Sequence, residues 1–153
     1  MKLASSEGEE LEIVAEIGRS APASYYGNDR SLSVRLVFSG FTASTKAWID
    51  EKTWSAFLNE LAALERDRRG KAALAAMSPE ELQLTFRSID RGGHLAVEGF
   101  VGVRSGGGYA AKLTFSSLKF DPSELPRVLR ELQSISPIDA TRTRPATTAR
   151  GHM

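Results

Sequence analysis

A chain of 153 residues, 41% apolar and 25% charged, has the size and make-up of one globular domain able to bury a core. Twenty basic against nineteen acidic residues leave a formal charge of +1, too even for a nucleic-acid coat or a polybasic membrane binder. With no cysteine there is no disulfide framework, thiolate nucleophile, zinc ribbon or iron–sulfur cluster, and the composition suits a reducing, cytoplasmic setting. No apolar run reaches the roughly 18 residues of a membrane span. Met1–Glu10, with one lysine and three glutamates, does not read as a signal peptide.

Leu11, Ile13, Ala15 and Ile17 alternate with polar positions and predict a strand with one wet face, to which Glu9, Glu10, Glu12 and Glu16 belong. Gly18–Arg30, with Pro22, Gly27, Asn28 and Asp29, reads as a loop. Leu32, Val34, Leu36 and Phe38, then Phe41, Ala43, Thr45, Ala47 and Ile49, predict two strands joined by a tight turn at Ser39-Gly40. Trp48 falls out of phase with this apolar set. It is either exposed or covered by a second layer.

The period then changes. Trp54, Phe57, Leu58, Leu61 and Leu64 lie on one helical face, with Asp50 as N-cap, Glu51 at the positive end of the dipole and Gly70 as the stop. Arg66, Arg68 and Arg69 suit the other end, where dipole compensation accounts for them better than phosphate binding. The alanines of 71–76 favour a helix, but Leu82, Leu84 and Phe86 alternate. The expectation is a short extended piece over 71–76, a turn at Ser78-Pro79 and a strand from Glu81 to Ser88. Asp90-Arg91-Gly92-Gly93 is a hairpin turn, Leu95, Val97, Val101 and Val103 a strand, and Ser105–Gly108 the next turn.

In the last strand Ala111, Leu113 and Phe115 occupy odd positions, Leu118 and Phe120 even ones. One extra residue near Ser116-Ser117 returns both sets to the core, which predicts a β-bulge. A second helix follows, with Asp121 as N-cap, Pro122 at the first position, and Leu125, Val128, Leu129 and Leu132 on one face. The expected fold is α+β: an antiparallel sheet of about six strands with both amphipathic helices on one face, in an order that also reads as a βββα unit used twice. Residues 1–136 form the single domain. Residues 137–153, with three arginines against one aspartate and no periodicity, are expected to be a disordered basic tail, and the closing Gly151-His152-Met153 fits a cloning remnant.

Catalytic signals are sparse. His94 follows a Gly-Gly turn and lies out of phase with its strand, and no partner acid or nucleophile is evident for it. Gly106-Gly107-Gly108 joins two strands and lacks the Lys-Ser/Thr of a phosphate loop, Glu80-Glu81 looks like a cap, and no ligand spacing points to a metal or cofactor. Two features fit recognition instead. Tyr25, Tyr26, Asn28 and Asp29 combine low-entropy aromatic area with adaptable hydrogen bonding, and Trp48 adds a second aromatic surface. A protein partner is the expectation, with neither nucleic acid nor membrane.

The series Tyr26…Asn28, Leu32-Ser33-Val34-Arg35-Leu36, Trp48 and Trp54-x-x-Phe57-x-x-x-Leu61-x-x-Leu64 resembles small bacterial immunity proteins of the WapI type and related small actinobacterial domains. Leu82-x-Leu84-x-Phe86, Gly93-His94-x-x-Val97, Leu113-x-Phe115 and Leu125-x-x-x-Leu129-x-x-Leu132 extend the likeness over residues 10 to 135. The resemblance implies a non-enzymatic cytosolic protein that neutralises a polymorphic toxin by stoichiometric binding. Two other classes stay open on the residues alone: an interaction module of secretion or regulatory machinery, and a small enzyme using His94 with an acid the sequence does not name.

Overall fold

Strands form where apolar residues alternate, and in the computed structural model, which describes residues 1–16 and 28–137, they make two sheets. The first is an antiparallel meander of β1 (Lys2–Ala4), β2 (Glu10–Ala15), β3 (Arg30–Phe38) and β4 (Phe41–Ile49), in that order. Helix α1 (Glu51–Asp67) follows. A second meander comprises β5 (Lys71–Ala75), β6 (Leu82–Ser88), β7 (Leu95–Ser105) and β8 (Gly108–Phe120), succeeded by a 3-10 turn (Pro122–Glu124) and α2 (Leu125–Gln133).

The expectation of one sheet of about six strands is therefore corrected to two sheets of four. The physical reason lies at the junction. Helix α1 separates β4 from β5 and packs on β5, β6 and α2, so the two strands never pair. The Met77 N–H instead donates to the Trp48 carbonyl at 2.8 Å, closing that end of β4. The helices accordingly do not share one face of a single sheet. The repeated unit reads ββββα rather than βββα. The two halves match in detail: Arg30 pairs with Ile49 just before the cap Asp50, and Leu95 pairs with Phe120 just before the cap Asp121.

One apolar cluster joins both halves, with β4 packed near β7 and β1 near β8. An aromatic column runs through it from Trp54 to Phe57 (5.9 Å between centroids), Phe86 (5.6 Å) and Phe120 (6.2 Å), and Phe38 meets Phe115 across the sheets at 5.6 Å. Trp54, Phe57, Leu61 and Leu64 of α1 are buried, as are Leu125, Val128 and Leu132 of α2, while Leu58 and Leu129 are partly covered. Asp50 accepts from the Thr53 N–H at 2.7 Å, and the helix ends with Arg68 in the left-handed region, two residues before the expected stop at Gly70.

The turn between β3 and β4 has positive φ at both Ser39 and Gly40, the geometry whose twist matches a two-residue hairpin. The expected bulge is present. Phe115 faces Gly99 and Leu118 faces Val97, so Ser116 and Ser117 together oppose Glu98. Phe115, Leu118 and Phe120 are buried and Leu113 partly so. The second irregularity, at Val103/Arg104, interrupts no long apolar run and left no mark in the sequence pattern. Residues 138–153, which hold almost all of the expected tail, lie outside the described residues. Among the described residues no helix is long and apolar enough to cross a membrane.

Candidate partner-binding site

Arg30 shares its strand phase with Leu32, Val34 and Leu36, so the pleat turns an arginine inward at the first position of β3. Its guanidinium is satisfied there. It donates to the Glu51 carboxylate, to the Asn28 carbonyl and, at 3.5 Å, to the Ile135 carbonyl, and it sits 5.9 Å above the Trp54 ring. Asp29 is also turned in. It is 4% exposed and its carboxylate accepts from the Glu51 N–H at 3.1 Å. The start of α1 thus receives two carboxylates, Asp29 on Glu51 and Asp50 on Thr53, which satisfy two otherwise orphaned helix donors and complement the dipole. Glu51 is held from its other side by the Ser55 hydroxyl at 3.0 Å.

Of the residues singled out for recognition, Asn28 is exposed, and Asp29 lies beneath it with its polar atoms directed at α1. Trp48 lies on the outward side of β4, half-buried and opposite Ser31. Tyr25 and Tyr26 lie outside the described residues. Asn28, Asp29 and Trp48 therefore share one end of the first sheet, since the pairs Arg30–Ile49 and Ser31–Trp48 are adjacent rungs.

Sequence reasoning passed over two further residues at this end. Met77 is 52% exposed and is tied through its backbone to Trp48. Val14, 41% exposed, is outward-facing on β2 beside Ser33. Neither has a periodic signal. Arg30 did have one, an arginine in the inward phase of an apolar strand. Of the four glutamates expected on a solvated face, Glu10 pairs with Lys2 (3.1 Å) and Glu16, its side chain only 12% exposed, pairs with Lys46 (2.9 Å).

His94 occupies a separate cleft of about 700 Å3, shared with Ser6, Asp90, Lys119, Asp121 and Pro122. Its Nδ1 lies 2.6 Å from Asp90 Oδ2, and Asp90 also accepts from the N–H groups of Gly92 (2.8 Å) and His94 (3.2 Å). Withdrawal from water raises the Asp90 pKa, and the hydrogen bonds from His94 and Gly92 outweigh it, leaving the group below its ordinary 3.8. Asp121 is held low by its hydrogen bonds from Ser123, with the nearby Arg68 adding to them. Both partners of the His94–Asp90 pair are exposed, and their bonds fold the β6–β7 turn around one carboxylate. Glu81, where the expected strand begins, is buried one residue before β6, with its carbonyl accepting from the Gly102 N–H at 2.9 Å.

A family model for the immunity protein WapI-like family matches residues 2–137. No curated protein and no solved structure matches the chain. The matched span contains both ββββα halves, the aromatic column and the Asp29–Arg30 arrangement at the start of α1. On that coverage the chain belongs to the immunity protein WapI-like family.

Proposed function

We propose that this protein is a non-enzymatic cytoplasmic immunity protein that neutralises a cognate toxin domain by stoichiometric binding, through Asn28, Asp29 and Trp48 at the end of the first sheet together with Tyr25 and Tyr26. The observation that carries the reading is the family match over nearly the whole described chain. Two structural facts support the choice of surface. Trp48 is half-buried on an outward sheet face, and Met77 and Val14 add exposed apolar area there. Such a mixture of aromatic anchor, thioether and adaptable polar groups suits a protein partner. Asp29 serves the surface from beneath, by fixing the chain that leads into it.

The test is a titration against the toxin domain encoded by the gene neighbouring that of this chain. Expected is a 1:1 complex on size-exclusion chromatography and calorimetry, with full neutralisation only near equimolar amounts. Complete neutralisation at a small fraction of an equivalent overturns binding as the mechanism, and His94→Ala is then the first variant to assay.

A further inference from the structure

We propose that Arg30 is a positioning residue, a clamp that holds three distant parts of the chain together at the start of α1. Its acceptors come from Asn28, from Glu51 of α1 and from Ile135 beyond α2, the last being 105 positions away in sequence. The side chain is 13% exposed, and its charge is answered by Glu51, itself fixed by Asp29 and Ser55. A planar guanidinium with five donors can serve three acceptors while keeping a face over an indole; an ammonium, a point charge, cannot do both. The Trp54 indole N–H beneath it is buried with no acceptor among the described residues, and Arg30 covers that end of the aromatic column.

The consequence is a coupling between the two halves. Asn28 leads into the first half's sheet, and Ile135 lies just beyond the second half's helix. Neither carbonyl belongs to a strand ladder or helix of its own, and one side chain ties both to α1. The purpose of the clamp rests on the reading above: it fixes Asn28 and Asp29 against the start of α1. The geometry is testable without any partner.

The experiment uses the full chain in a Trp48→Phe background, where Trp54 is the only indole. Acrylamide quenching of Trp54 and hydrogen exchange of the Glu51 amide are measured for Arg30→Ala and Arg30→Lys, with Arg35→Ala as an exposed-arginine control. Arg30→Ala is expected to raise quenching about threefold and Glu51 exchange about tenfold or more, while amides of the β6–β7 ladder change far less. Arg30→Lys shows the same pattern in smaller measure, and Arg35→Ala leaves both readouts at the parental level. If Arg30→Ala does not fold, Arg30→Lys decides. The clamp is overturned if the variant leaves both readouts within about twofold of the parent. It is equally overturned if all core amides accelerate together, because Arg30 then adds only global stability. Failure of the chain to bind the toxin domain would remove the proposed function and leave these readouts unaffected.

Discussion

The carboxylate of Asp29 meets the backbone N–H of Glu51 at 3.1 Å, across the whole of the β3–β4 hairpin. An aspartate read from the sequence as part of a recognition loop thus commits one carboxylate oxygen to a helix start. Capping interactions of this kind contribute about 0.5–2 kcal/mol. Asp29→Ala should therefore lower the urea midpoint by an amount equivalent to about 1 kcal/mol, with an unchanged m-value. An unaltered midpoint would show that the second carboxylate, Asp50, suffices at this end.

Trp54 supplies a sharper contrast. The residue is 1% exposed and its ring packs on Phe57, but among the described residues its indole N–H has no acceptor. Truncation to Ala removes the end of the aromatic column and should cost about 3–5 kcal/mol. Trp54→Phe forfeits no hydrogen bond and relieves a buried unsatisfied donor, so it should cost less than about 1.5 kcal/mol. Thermal or urea unfolding of the pair measures the difference. Equal losses would mean that the indole donor is satisfied.

At Gly99 the backbone lies at φ +144°, and a Cβ would stand 1.9 Å from the Gln83 carbonyl oxygen, a backbone atom that cannot swing aside. Gly99 sits directly beside the bulge formed by Ser116 and Ser117. Gly99→Ala should destabilise by more than about 2 kcal/mol, through backbone strain rather than lost burial. Gly106→Ala is the comparison. Its φ of +60° is left-handed, yet no atom lies within 4 Å of the added Cβ, so its penalty should be clearly smaller.

The bulge was legible because it broke a period: Phe115 and Leu118 cannot both be core residues of a regular strand. The helix from Trp54 to Leu64 was legible for the same reason. The pairing partners of β4 and β5 were not, because local alternation assigns a face to each strand without naming its neighbour. Helix α1 keeps β4 and β5 apart, and the one backbone hydrogen bond from Met77 to Trp48, to which neither side-chain type contributes, joins the two halves there. Lys2–Ala4 was too short to show a period at all, and only its pairing with Glu10–Glu12 makes it a strand. At the candidate site, composition pointed to Asp29 but misjudged its direction. Arg30, in phase with Leu32 and Val34, was readable as an inward charge that needs partners, although not as a charge that reaches Ile135.

The acid limb of stability should carry the marks of two aspartates. Asp90 and Asp121 both have folded-state values below 3.8. A carboxylate depressed on folding contributes stability that is present above its unfolded value and is lost as pH falls through the folded one. The loss therefore lies below about pH 4, and neutral solution is unaffected. Asp121→Asn and Asp90→Asn should each flatten the fall in urea midpoint between about pH 4 and pH 2. Both groups are exposed, so each effect is small, and the double variant should be flatter than either single one. Curves parallel to wild type would show that other carboxylates set the acid limb.

The functional prediction concerns Tyr25 and Tyr26. If these tyrosines are part of the toxin contact, Tyr25→Ala with Tyr26→Ala should weaken binding by about 2 kcal/mol or more, as loss of aromatic hot spots does. The urea midpoint must be measured beside the affinity, since a tyrosine that covers the core would lower both. Trp48→Ala offers an independent probe at the end of the first sheet. Part of its aromatic area is already buried, so it should cost both some stability and some affinity. Met77→Ala should weaken binding with little effect on folding, because its side chain is largely exposed and only its backbone N–H is structural. A folded Tyr25/Tyr26 double variant that binds with wild-type affinity moves the contact off these tyrosines. If Trp48→Ala and Met77→Ala also bind normally, the whole end of the first sheet is excluded as the contact surface.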